Sequence, residues 1–181
     1  VGMKIAVGWG KKDRGFLVSI LVAALTLGSA SPHLLSLLGG AEWRLTVIAT
    51  SFVAALGGFV CLLVVLGPHH AIAPRFDPKT ITMAWTNRRV RLAYAGYLGH
   101  MWELYAMWAW IGLATAASFS ATMPIEAAVR LSTITAASAI GAGAVACVFA
   151  GYVADRIGKA EVATISMILS GMSALLAAIT F

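Results

Sequence analysis

The stretch Val162–Phe181 runs for 20 residues without an Asp, Glu, Lys or Arg. An α-helix needs about that many apolar residues to cross roughly 30 Å of hydrocarbon. Four more apolar runs reach that length: Gly15–Leu38, Leu45–Leu66, Leu92–Phe119 and Ala127–Ala154. Between them these carry only Glu103 and Arg130 as charged side chains. A short apolar remnant, Val1–Trp9, precedes the first. The chain is 60% hydrophobic and 11% charged, whereas ordinary soluble domains are about one quarter charged. So much apolar surface cannot all be turned into one core; it has to face an apolar solvent. Charges are costly in hydrocarbon and cheap in loops, and here they lie in the connectors. The expected fold is therefore all-α, a polytopic membrane protein.

The connectors differ sharply in charge. Lys4, Lys11, Lys12 and Arg14 flank the end of the remnant. Arg75, Lys79, Arg88, Arg89 and Arg91 lie between the second and third full spans. Arg156 and Lys159 lie between the last two. These make eleven of the 13 basic residues; the other connectors hold only Arg44 and Arg130. Basic residues concentrate in cytoplasmic loops, so the first set is expected inside the cell. The alternation also requires every span to cross once. The same rule accounts for the net charge of +6, so no nucleic-acid partner is needed to explain it.

Three segments follow: 1–66 with the remnant and two spans, 67–91 as a long cytoplasmic loop, and 92–181 with three spans. The loop contains Pro68, Pro74 and Pro78, which argue against regular helix at its start. Thr86 or Asn87 suits the N-cap of the next helix. Met83–Arg91 is expected to lie along the membrane surface, with Trp85 among the headgroups. Both ends of the chain fall inside apolar segments, as expected of an internal piece of a longer protein.

The charged island Gly151-Tyr-Val-Ala-Asp155-Arg156-Ile157-Gly158-Lys159 is read as a tight cytoplasmic loop. In that setting it resembles the loop motif of the major facilitator superfamily, Gly-x-x-x-Asp-Arg-x-Gly-Arg/Lys. Gly151, Asp155, Arg156, Gly158 and Lys159 match; Ala160 departs where a second basic residue is usual. Arg14-Gly15, then Gly28-Ser-Ala-Ser-Pro32, then Trp43-Arg44 resemble the family's fifth helix and the opening of its sixth. Ser31 stands where that pattern has a second glycine. The resemblance covers essentially the whole chain, from the end of a fourth helix through a ninth. It implies a twelve-helix bundle of two six-helix halves, with the remaining helices of the full-length chain as partners. It also implies that Gly151–Lys159 gates alternating access, and that Gly28 and Pro32 belong to a helix-packing motif.

Glu103 is the residue that apolar composition alone makes conspicuous. A charge at a helix centre costs roughly 2.5–3.5 kcal/mol on insertion scales, and such groups commonly mark substrate or proton paths. His100 precedes it by three positions and so shares its face. Tyr97 extends the stripe by three more. A protonatable imidazole beside a desolvated carboxylate suits proton coupling. Trp108 and Trp110 suit an interfacial position. Ala139, Gly141, Gly143 and Ala144 suit close helix packing. Asn87, Arg88 and Arg89 read as cap and anchors, and His33, His69 and His70 as structural. Cys61 and Cys147 read as small buried hydrophobes.

The sequence holds no catalytic triad, phosphate loop, zinc signature or CxxC pair, so no enzyme activity, metal or cofactor is expected. The resemblance implies a secondary active transporter that moves a small solute by alternating access, with protons through Glu103 as the candidate coupling ion. The alternatives are an uncoupled facilitator, a drug-type exporter, or a membrane scaffold or sensor that does not transport. The expected location is the cell membrane, with a bacterial cytoplasmic membrane as the leading case and the lipid bilayer as the surrounding partner.

Overall fold

The computed structural model describes residues 2–39, 43–70, 72 and 77–180, with backbone alone at 38, 39, 79, 80 and 84. The described residues form seven helices and no strand: α1 (Gly2–Trp9), α2 (Arg14–Gly39), α3 (Trp43–Cys61), α4 (Lys79–Thr86), α5 (Arg88–Ser120), α6 (Ile125–Ile157) and α7 (Lys159–Thr180). The expected all-α architecture holds.

Among the described residues, four segments are long and apolar enough to cross a membrane: Arg14–Leu37, Trp43–Cys61, Ile125–Ile157 and Lys159–Thr180. Helix α5 has the length, at 33 residues. Its Tyr, Trp, His and Glu side chains make it the least apolar of the long helices, so it does not join those four by composition. None of the described residues of α3, α5 or α7 is buried. Many of their large apolar side chains, Phe52, Phe59, Trp102, Trp110 and Leu176 among them, are exposed on this chain.

The tightest packing joins α2 to α6. On α2 the buried positions are Ser19, Ala23, Thr26 and Ala30, spaced by three or four. On α6 they include Ser132, Ala136, Ala137, Ile140, Ala144 and Gly151. Both stripes consist mostly of small side chains, which let two helix backbones approach closely without a solvophobic drive. The buried hydroxyls bond back to their own helices: Ser19 Oγ donates to Phe16 O at 2.7 Å and Thr26 Oγ1 to Val22 O at 2.9 Å. They add no unsatisfied group to the seam.

Of the expected packing residues, Ala144 is buried, a Cβ added at Gly143 would stand 3.8 Å from the Thr26 methyl, and Gly141 has open space beside it. Gly151 sits at the closest approach. A Cβ there would collide with the Ser19 side chain and stand 2.8 Å from Gly15 O. Overpacking of this kind costs about 1–3 kcal/mol. Gly151→Leu in the full-length protein is therefore expected to lower the melting temperature in detergent by several degrees. An unchanged melting temperature would mean that α2 and α6 do not meet there.

Two boundaries differ from the sequence reading. The stretch Gly151–Lys159 is not a loop: α6 stays helical through Ile157, and the reversal is made at Gly158 alone, at φ 120° and ψ 145°. Tyr152 to Ile157 contain no helix breaker, so the backbone keeps its hydrogen bonds until glycine permits a conformation closed to other residues. At the other boundary, the apolar run Leu45–Leu66 outlasts its helix. α3 ends at Cys61, and the following residues cross to the end of α1. Trp9 Nε1 donates to Val65 O at 3.0 Å, and His69 N to Gly8 O at 2.9 Å. Backbone contact with α1 thus replaces the last helical turn.

Asn87 caps α5, its side chain accepting from Arg89 N at 3.0 Å. Its extended backbone separates α5 from the short α4. Trp85 on α4 is exposed, and Arg91 Nη1 donates to its carbonyl at 3.3 Å. Arg75 and Pro74 lie outside the described residues.

These contacts bring the start of α2, the ends of α1 and α6 and the start of α7 to one end of the bundle. The start of α5 joins them: Leu92 and Ala93 line a cavity with Ala163 and Thr164. Lys11, Lys12, Arg14, Arg88, Arg89, Arg91, Arg156 and Lys159 accordingly gather there. Arg44 and Arg130 sit near the starts of α3 and α6, at the opposite end.

Candidate functional site

Two polar contacts stand out in this apolar bundle. The first is at the basic end. Gly15 N donates to Asp155 Oδ1 at 2.9 Å and Phe16 N to Asp155 Oδ2 at 2.8 Å. The first amides of a helix have no intrahelical acceptor, and the helix dipole makes that end positive. A carboxylate is the natural group to fill it. The structure gives Asp155 the N-terminus of α2, an earlier helix 139 and 140 residues away.

Several neighbours make that contact possible. Gly15 has no side chain: a Cβ would stand 2.6 Å from Asp155 Oδ1. Arg156 turns away from Asp155, its guanidinium carbon 3.7 Å from the centre of the Tyr152 ring. Tyr152 in turn packs edge-on against Phe16, with ring centres 6.4 Å apart. This stack leaves Asp155 free for the α2 amides. Arg14 Nε donates to Gly10 O at 3.1 Å, fixing the turn before α2. A cavity of about 550 Å³ lies alongside, lined in part by Val18, Cys147, Ala150 and Lys159. Gly158 makes the turn into α7 next to it, and Lys159 opens that helix.

The second contact is in the middle of the bundle, between α5 and α7. Glu103 is half-buried, and the Ser170 hydroxyl donates to its Oε1. A cavity of about 720 Å³ runs along the same two helices toward the basic end. Tyr97 and His100 line it from α5; Thr164 and Ser166 line it from α7. The stripe Tyr97, His100, Glu103 therefore does share one face, with the histidine and the tyrosine on the open part.

The remaining candidates lie elsewhere. Gly28 is exposed, and a Cβ added there would meet nothing within 4 Å, so it has no packing partner among the described residues. Pro32 lies inside α2. Trp108 packs edge-on to Tyr105 at 5.6 Å, while Trp102 and Trp110 are exposed. The two cysteines are less enclosed than their apolar surroundings suggest: Cys61 is exposed at the end of α3 and Cys147 is half-buried. Among the described residues, no three His, Cys, Asp or Glu side chains gather closely enough to hold a metal ion.

Sequence reading missed Ser170, Phe16, Ser19 and Tyr152. For Ser170 a signal existed: Ala163, Ser166 and Ser170 mark a small and polar face of an otherwise apolar helix. Nothing local pointed to Tyr152 or Ser19, whose roles depend on a helix distant in sequence.

No family model, curated protein or solved structure matches this chain.

Proposed function

We propose that this chain is part of a secondary active transporter that moves a small solute across a membrane by alternating access. In this reading the helices of 1–66 belong to one half of the bundle and those of 92–181 to the other. The basic end faces the cytoplasm, as expected from the concentration of Lys and Arg there, and α5 crosses the membrane as a fifth span.

The observation that carries the reading is the Asp155 carboxylate on the N-terminus of α2. It joins the two segments across a seam of small side chains, at the basic end. A rocking mechanism needs such a contact: strong enough to close one face, and polar enough to be exchanged for water when that face opens. The resemblance of Gly151–Lys159 to the superfamily's gate motif points the same way. Glu103 adds a protonatable group in the membrane interior. A carboxylate there is expensive unless it serves a path, so protons are the proposed coupling ion.

The experiment is solute-dependent proton movement by the full-length protein in proteoliposomes that enclose a pH-sensitive dye, challenged with a panel of sugars, organic anions and hydrophobic cations. At least one class is expected to drive both solute uptake and a pH change. Uptake without a pH change would identify an uncoupled facilitator or exporter. No flux for any class, with the protein folded and inserted, would favour a scaffold or sensor.

A further inference from the structure

The seam between α5 and α7 is bonded at one level and open below it. Glu103 and Ser170 meet, and toward the basic end the 720 Å³ cavity lies between the two helices. Ala93, Gly96, Tyr97 and His100 line that cavity from α5, in register with Glu103; Ala163, Ser166 and Met167 line it from α7, in register with Ser170. The bond is thus the apex of a wedge that opens toward the basic end. Oε2 of Glu103 accepts no hydrogen bond from the described residues.

We propose that Ser170 is a positioning residue for Glu103 and that their bond is a proton-operated latch between α5 and α7. The inference rests on the proton-coupling reading above. A hydroxyl donating to a carboxylate makes a charge-assisted bond, roughly twice as strong as one between neutral groups. Protonation of Glu103 removes that advantage. The bond weakens, and α7 is released from α5, widening the wedge. The wedge is also the route: it brings water from the basic end to within one helical turn of Glu103, past His100.

The groups that face this site leave Glu103 as the operating charge. On α5 the neighbours that titrate are His100, Tyr97 and Tyr105. On α7 no ionisable side chain follows Glu161. On α6 none lies between Arg130 and Cys147. Only His100 competes for the role, and it lines the cavity without a hydrogen bond to Ser170.

The test places a trifluoromethyl label on Thr164→Cys, at the open edge of the wedge, in full-length protein with Cys61 and Cys147 replaced by serine. Fluorine spectra are recorded against pH. The parent protein is expected to show two resonances, with the released population growing as pH falls. Ser170→Ala is expected to favour the released resonance about tenfold at neutral pH, the scale of one hydrogen bond to a charged group. Ser170→Thr, which keeps the hydroxyl, restores the parent profile. Glu103→Gln holds one population at every pH, and His100→Gln keeps the pH response.

An unchanged pH profile in Ser170→Ala would overturn the latch while leaving proton-coupled transport intact. Loss of the response in His100→Gln would move the switch to His100 and overturn it equally. Solute-driven proton flux that survives Glu103→Gln would instead overturn the coupling reading on which the latch depends.

Discussion

Asp155→Asn is expected to open the basic end of the bundle. The amide keeps the shape of the carboxylate but loses its charge at the N-terminus of α2. It also accepts through one oxygen where the carboxylate uses two. An anion is favoured at a helix N-terminus. With that charge and one bond to a backbone amide lost, the closed state is expected to weaken, a severalfold change in population. Cys147 reports it, because it lines the cavity beside this contact. In protein with Cys61 replaced by serine, alkylation of Cys147 is expected to accelerate by about that factor. Gly15→Ala should act similarly without touching the charge, since its Cβ would crowd the carboxylate. Equal alkylation rates in all three proteins would mean that the contact does not hold this end closed.

Glu103→Gln is expected to separate solute movement from proton movement. Glutamine fills the same volume and accepts from Ser170 only as a neutral group, like the protonated carboxyl, so the fold is kept with α7 in its released position. It cannot bind and release a proton. Solute-driven proton flux is expected to fall to the liposome background, while exchange of labelled for unlabelled solute continues and no longer varies with pH. The paired measurement matters: loss of both activities would point to a damaged fold, and retention of both would remove Glu103 from the coupling path. A carboxylate is costly in this setting, so the substitution is not expected to weaken the protein.

How much of this was legible in the sequence depended on range. The helices follow from uninterrupted apolar runs, because in hydrocarbon a backbone must bond within its own segment. The stripe of Tyr97, His100 and Glu103 follows from spacing on one helix, and the Asn87 cap from one residue type in one place. Boundaries were less legible. Gly151–Lys159 reads as a loop from its charges, yet the backbone stays helical until Gly158, since charged residues do not break a helix. Leu62 to Leu66 read as helix from their apolarity, yet contacts with α1 draw them away.

Partners were the least legible feature. Asp155 takes partners 139 and 140 residues away, because the α2 amides are brought to it by small-residue packing along α6. Ser170 is one of several hydroxyl residues in apolar helices, most of which bond back to their own turn, as Ser173 Oγ does to Leu169 O at 2.9 Å. Only the approach of α5 makes Ser170 different.

The most direct measurement of alternating access is a pair of spin-label distances in the full-length protein, one at each end of the α2–α6 seam. Labels at Lys12 and Ile157 report the basic end; labels at Leu34 and Ile125 report the other. All four side chains are exposed. Two populations are expected at each end, reciprocally related: Asp155→Asn should lengthen the distance at the basic end and shorten it at the other. A single distance at both ends, unmoved by Asp155→Asn, would contradict a rocking bundle.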